Sequence, residues 1–226
     1  YVHAMSLERK NLRITVVRRK RGNEQLLAFI KEKHAGESGI VYTSSRAKAE
    51  TICAFLAAEG INCLCYHAGL SREQRELSQT RFLHEKDAVI VATIAFGMSI
   101  DKADVRFVAH TSLPKSIENY VQEIGRAGRD GQKAEAWLCF SGGDAFFQKK
   151  RIAESDAEDW YKNISEVKQD VMQGYAESTE CRRNLLLAYF GEETKEACGQ
   201  CDNCLASEKS WDASTCLLYT SDAADD

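Results

Sequence analysis

Proline occurs once in the 226 residues and glycine only 14 times. That scarcity excludes collagen-like repeats, mucin-like stalks and most Pro/Gly-rich linkers. No apolar run approaches the roughly 20 residues that a membrane-spanning helix needs. The opening Tyr1-Val2-His3-Ala4-Met5 also lacks the pattern of a secretory leader. A soluble, cytoplasmic chain without membrane contact is therefore expected. Two phosphate-handling patterns are missing as well. There is no G-x-x-x-x-G-K-[ST] to cradle a nucleotide, and no Asp-Glu-x-His box to hold Mg²⁺.

The residues present are 44% hydrophobic and 28% charged, enough to bury a core in one or two domains. The net charge of −4 averages two unlike portions. Residues 1–153 hold 24 Lys+Arg against 17 Asp+Glu, a surplus of +7, and residues 154–226 hold 6 against 17, a deficit of −11. A basic working module joined to an acidic appendage fits that split, although solvated surface on both would give the same numbers. Nine cysteines in a chain without a leader do not suggest disulfides. Cys53, Cys63, Cys65 and Cys139 lie in apolar segments and read as small buried hydrophobes.

Hydrophobic periodicity predicts alternating strands and helices up to residue 140. Strands are expected at Leu12–Val16, Gly39–Thr43, Ile61–Tyr66, Ala88–Ala92, Val105–Ala109 and Ala134–Phe140. Helices are expected at Asn23–His34, after a Ser44 or Ser45 cap up to Gly60, from the capping box Ser71-Arg72-Glu73-Gln74 to about Leu83, and at Ile117–Ile124. The fold class is α/β, with a parallel sheet flanked by helices. From about Gly142 the pattern is helical only. Trp160, Ile164, Val167 and Val171 recur at helical spacing and read as a core stripe, and Tyr189 and Phe190 also read as core. The expected division is 1–148 for the α/β unit, 149–206 for a helical second unit, and 207–226 for a tail that is either disordered or a sequence artefact.

One ten-residue segment carries recognisable chemistry: Gln122-Glu123-Ile124-Gly125-Arg126-Ala127-Gly128-Arg129-Asp130-Gly131. If the preceding helix continues, Arg126 and Arg129 share a face kept open by small residues, and a phosphate could reach both guanidiniums. An isolated R-x-x-R would be only a helix end with two solvated arginines. The glycines and Gln122 make the pattern far more specific.

This segment resembles motif VI of superfamily 2 helicases in the form typical of RecQ DNA helicases. Ile40-Val41-Tyr42-Thr43-Ser44-Ser45-Arg46 resembles motif IV, Tyr66-His67-Ala68-Gly69-Leu70 the loop that follows it, and Ala92 to Lys102 motif V. The resemblance runs from about Asn11 to Leu205. It implies a second RecA-like motor domain in which Arg129, with Arg126 beside it, is the catalytic arginine finger reaching a γ-phosphate. Gln122 and Asp101 would face the nucleotide. Ser45, Arg46, His67, Gly69 and Thr93 would meet the DNA backbone, fixing register without reading sequence. The implied partners are ATP with Mg²⁺, single-stranded DNA and the duplex junction, and an N-terminal RecA-like domain of the same protein. The work implied is 3′-to-5′ unwinding in recombination and repair. Ser99 stands where the family's motif V has a second glycine, and Ala103 where it commonly has proline. A serine would strain that loop if the glycine has φ > 0.

A second constellation is Cys181-x₁₆-Cys198-x₂-Cys201-x₂-Cys204. Four thiolates can close a tetrahedron around Zn²⁺, leaving no open position, which makes a structural rather than catalytic site. An iron–sulfur cluster is the rival, but its usual run places a fourth cysteine three residues on, before a proline. Here Leu205-Ala206-Ser207-Glu208 follows instead. The segments Cys181-Arg182-Arg183 and Leu186 to Glu192 also resemble the RecQ zinc-binding domain. Arg182 and Arg183 would face either DNA or the motor domain, and Cys216 is left over. Since the P-loop and the Mg²⁺ box belong to the family's first motor domain, the resemblance implies half a motor plus its zinc module. The alternative is a stand-alone zinc-containing DNA-binding module without ATPase activity. A different superfamily 2 enzyme, such as an RNA helicase, is disfavoured by the cysteines.

Overall fold

The computed structural model describes residues 9–93, 101–192 and 196–206. Ser99, the tail from residue 207 and Cys216 lie outside them. Six strands form one parallel sheet: β1 Leu12–Arg18, β2 Gly39–Tyr42, β3 Cys63–Tyr66, β4 Val89–Ala92, β5 Phe107–His110 and β6 Ala134–Phe140. Their spatial order is β1-β6-β5-β2-β4-β3. Helices α1 Gly22–Lys33, α2 Arg46–Ala58, α3 Arg72–His84 and α4 Ile117–Ile124 connect them, and α5 Gly142–Ala153, α6 Asp159–Glu177, α7 Arg182–Tyr189 and α8 Asp202–Leu205 follow.

The caps follow the sequence. The Ser45 side chain accepts the Lys48 N–H at the start of α2, and Ser71 with Gln74 forms the reciprocal box at the start of α3. Gly60, at φ +83°, follows the end of α2 in a conformation that a Cβ would oppose. The central strands are short, wholly buried apolar runs because both faces are covered. Side-chain alternation divides them between two cores. Val41, Val89, Val91, Phe107 and Trp137 pack under α1 and α2, while Ile40, Ile90, Val108, Leu138 and Phe140 face α3, α4 and the helices that follow.

That second core does not stop at the sheet. Met172, Tyr175, Leu186 and Cys201 belong to the same cluster as Tyr120 and Ile124, so the zinc module shares a core with the sheet. The stripe expected as core on α6 is not buried. Trp160, Ile164, Val167 and Val171 are exposed, Trp160 by 64%, and the buried face is Gln169, Met172, Tyr175 and Ala176. Helical periodicity defines an apolar face, but the packing partner decides which face is covered. Tyr189 and Phe190 likewise lie at the surface, and Cys53, Cys63 and Cys65 are half-buried beside the α1/α2 core. Burial pushes the thiol of Cys139 up to about 11, consistent with an inert packing role.

Gly39 allows β2 to lie close to β5, because an added Cβ would fall 2.0 Å from Phe107 Cζ. That ring is held edge-on by Phe29, with centroids 5.5 Å apart, and cannot swing away. Gly39→Ala should therefore cost about 1–3 kcal/mol by overpacking. The resulting fall in Tm should be partly reversed in a Gly39→Ala/Phe107→Leu double variant, as thermal denaturation would reveal.

Candidate nucleotide, nucleic-acid and metal sites

Parallel pairing aligns the strand ends in one row, Tyr66, Ala92, Tyr42 and His110 across β3, β4, β2 and β5. The residue after each strand therefore emerges at one edge, the crevice that open parallel sheets offer to ligands. Ser45 and Arg46 follow β2, His67 and Gly69 follow β3, and Thr93 follows β4. Adjacent strands lie about 4.8 Å apart, so these groups span three neighbouring positions along the edge. Arg46 is exposed, and its side chain runs beside Gly69, where an added Cβ would sit 3.2 Å from Arg46 Cδ. His67 is placed differently from the others. It is 2% exposed, and its Nδ1 accepts the Gly69 N–H at 3.2 Å, so it shapes the loop from beneath. A cleft of about 420 Å³ continues the edge between Thr43, Ser112, Lys115, Arg151 and Gln169.

The arginine segment lies where α4 returns to the start of β6. Here the helix ends at Ile124 and the chain turns, with Gly128 at φ +59°. The two arginines consequently do not share a face. Arg129 is exposed, and its Nη1 donates to the Asp101 carboxylate at 2.8 Å. Arg126 is buried and reaches the Tyr42 hydroxyl. Burial raises the pKa of that hydroxyl, and Arg126 opposes the rise. Gln122 is exposed on α4. His110 stacks on Tyr42 and hydrogen-bonds Glu123 at 2.7 Å. Tyr42, His110, Glu123 and Arg126 thus form a buried polar cluster between the strand-end edge and the arginine turn. Sequence reading missed this cluster, because its members are far apart in the chain and individually unremarkable. The segment joining Thr93 to Asp101 lies outside the described residues.

The four cysteines of the second constellation converge, with their sulfurs all within 4.8 Å of one another. Cys198 Sγ and Cys204 Sγ are 3.8 Å apart. A tetrahedron with Zn–S bonds of about 2.3 Å has edges of about 3.8 Å, so the set fits zinc. Backbone amides support it, Cys198 N–H donating to Cys181 Sγ at 3.3 Å and Cys204 N–H to Cys201 Sγ at 3.4 Å. Burial alone would raise the Cys181 thiol, but backbone donors at Asn184 and Cys198 bring it down to about 7. Cys198, Cys201 and Cys204 are raised, chiefly by burial. Arg182 is buried and grips the Asp202 carboxylate through Nε and Nη2 at 3.1 to 3.3 Å. Arg183 donates to the carbonyls of Arg9 and Leu12, so it faces the sheet.

Comparison with known proteins agrees with both halves. The helicase conserved C-terminal domain matches residues 21–131, and the RecQ zinc-binding family matches 142–205. An ATP-dependent DNA helicase RecQ from Pasteurella multocida is 43% identical over 94% of this chain and 33% of its own length. The one from Haemophilus influenzae is 43% identical over 92% of this chain and 33% of its own length. The chain thus spans about a third of the length of these curated relatives. Among solved structures, S. cerevisiae Dbp5 bound to RNA and ADP BeF3 superposes with a TM-score of 0.55 at 19% identity, covering 73% of this chain and 46% of that one. That likeness carries the RecA-like fold alone. Among the described residues, no helix is long and apolar enough to cross a membrane.

Metal analysis of purified protein should find zinc, and iron with visible absorbance would overturn the assignment. Cys201→Ala should lose the metal and leave the region after about residue 175 open to protease, because binding energy at such sites is folding energy. Thiolates are the ligands, so protons compete with the metal and zinc retention should decline as pH is lowered. Zinc released to a chromogenic chelator across a pH series measures this.

Proposed function

The chain belongs to the RecQ helicase family, and from that premise we propose that it acts as the second motor unit of an ATP-dependent DNA helicase moving 3′ to 5′ in recombination and repair. Its division into a motor portion, 1–148, and a zinc module, 149–206, is part of the same reading. The observation that carries the proposal is the separation of two polar sites on one rigid sheet. Ser45, Arg46, Gly69 and Thr93 line the strand-end edge, and Arg129 with Asp101 stands exposed at the arginine turn.

At the edge, hydroxyls and one guanidinium offer donors to backbone phosphates, which suits a motor that must ignore base sequence. His67 keeps the Gly69 loop in shape under them. At the turn, Arg129 is the finger. It presents its charge to a γ-phosphate held with Mg²⁺ on an N-terminal RecA-like domain, and stabilises the charge that develops on the transferring group. Asp101 holds the guanidinium extended until the nucleotide replaces it as partner. Gln122 is exposed on the same segment and faces the nucleotide with them. Arg126, buried against Tyr42, ties the turn to β2 and so to the DNA edge. The zinc module braces the sheet from behind, beside the duplex junction.

The two sites should separate by mutation. In the full-length parent helicase, Arg129→Ala should lower the rate of ATP hydrolysis by about 10³ or more while leaving DNA affinity intact. In the chain itself, Arg46→Ala should weaken binding to a labelled oligo-thymidine strand. It should also reduce the salt slope, by about 0.7 for one lost phosphate contact. Fluorescence anisotropy at several salt concentrations measures both. Unchanged hydrolysis in the Arg129 variant, or no binding by this chain at low salt, would refute the reading.

A further inference from the structure

Between the zinc module and the arginine turn runs the short segment 9–12, and both are bonded to it. On one side, the Arg9 guanidinium donates from Nη1 to the Gly125 carbonyl at 3.3 Å and from Nη2 to those of Ala127 and Gly128 at 2.8 and 2.9 Å. Asn11 Nδ2 donates to the carbonyls of Gly128 and Gln132, each at 2.8 Å. On the other side, the segment's own carbonyls are the acceptors. Arg183 Nη2 donates to Arg9 O and Leu12 O at 3.2 and 3.1 Å, and Gln200 Nε2 to Lys10 O at 2.9 Å. Gln200 lies between the ligands Cys198 and Cys201, and Arg183 lies two residues after Cys181.

The turn needs such support. The carbonyls of Gly125, Ala127 and Gly128 follow the last residue of α4 and lie outside its hydrogen-bond ladder, and the helix dipole places negative charge at that end. A planar guanidinium matches several of these acceptors at once and cannot lose its charge. Gly128 is adapted to the arrangement, because an added Cβ would lie 2.6 Å from Asn11 Nδ2.

We propose that Arg9 and Asn11 are positioning residues, and that segment 9–12 is a strut through which the zinc module holds the arginine turn in place. The consequence for ATP hydrolysis rests on the reading of Arg129 given above, but the mechanical coupling does not. Loss of metal unfolds the module, removes the anchors Arg183 and Gln200, and frees the segment whose side chains hold Gly125, Ala127 and Gly128.

Hydrogen–deuterium exchange on the zinc-loaded chain tests this without any nucleotide. Removing zinc with a chelator should raise exchange about tenfold or more in peptides covering 125–132, as well as in those of the module itself. With zinc retained, Arg9→Ala and Asn11→Ala should raise exchange in 125–132 while peptides covering 181–192 stay protected. Gln200→Ala, a surface change that removes one anchor, should act in the same direction and guards against misfolding of the Arg9 variant. A turn that keeps its protection after zinc removal, or in both Arg9→Ala and Gln200→Ala, overturns the proposal. A coupled turn, alongside intact hydrolysis in Arg129→Ala, would reject the nucleotide reading and leave the strut standing.

Discussion

Everything in this molecule depends on the sheet being parallel and covered on both faces. Parallel pairing sends every strand out of the same edge, so residues distant in the chain emerge side by side. Burial on both faces requires helical crossovers, and α4 is the crossover that carries the chain from the strand-end edge to the arginine turn. One constraint on backbone hydrogen bonding therefore creates both sites and fixes the distance between them. The residues serving each site need only be of the right type at the end of an element.

Between the sites lies a buried polar cluster rather than plain hydrocarbon. His110 pairs with Glu123 and Arg126 with Tyr42 where water is excluded, and such groups are costly to leave unpaired, as His110 Nδ1 and Arg126 Nε are among the described residues. A movement of the turn would disturb Arg126 and then Tyr42, the last residue of β2 before the loop that carries Ser45 and Arg46. Rigid packing and paired polar groups give the two sites a shared mechanical frame. The zinc module enlarges that frame, since Tyr175 packs on Tyr120 with rings 5.6 Å apart and Cys201 joins the same core. A metal held by the four cysteines would stabilise the back of the sheet as well as its own loop.

The opposite charges of the two portions acquire a location through this packing. The basic surplus lies in the part that carries the sheet, where Arg46 and Arg129 are exposed. Part of the acidic side chains near the zinc site are consumed internally, as Asp202 is by Arg182. Not every cation in this chain is open to solvent. Arg9, Arg182 and Arg183 are spent on backbone carbonyls and one carboxylate, and only burial and geometry distinguish them from Arg46.

By itself the sequence determined the element order, the caps at Ser45 and Ser71, the α/β class and the cysteine tetrad. These features depend on local periodicity, on short-range hydrogen bonding or on ligand spacing, and each leaves a mark in adjacent residues. Tertiary structure alone decided that Arg126 turns inward while Arg129 stays out, because the helix ends at Ile124, before both, and the chain turns at Gly128. It decided that His67 lies beneath its loop and that the Trp160 stripe faces away from the core. It also decided that Arg183 meets the sheet and that Arg9 holds the arginine turn more than a hundred residues away. Those outcomes depend on which surfaces meet across the fold, and long-range packing leaves no periodic trace along a single chain.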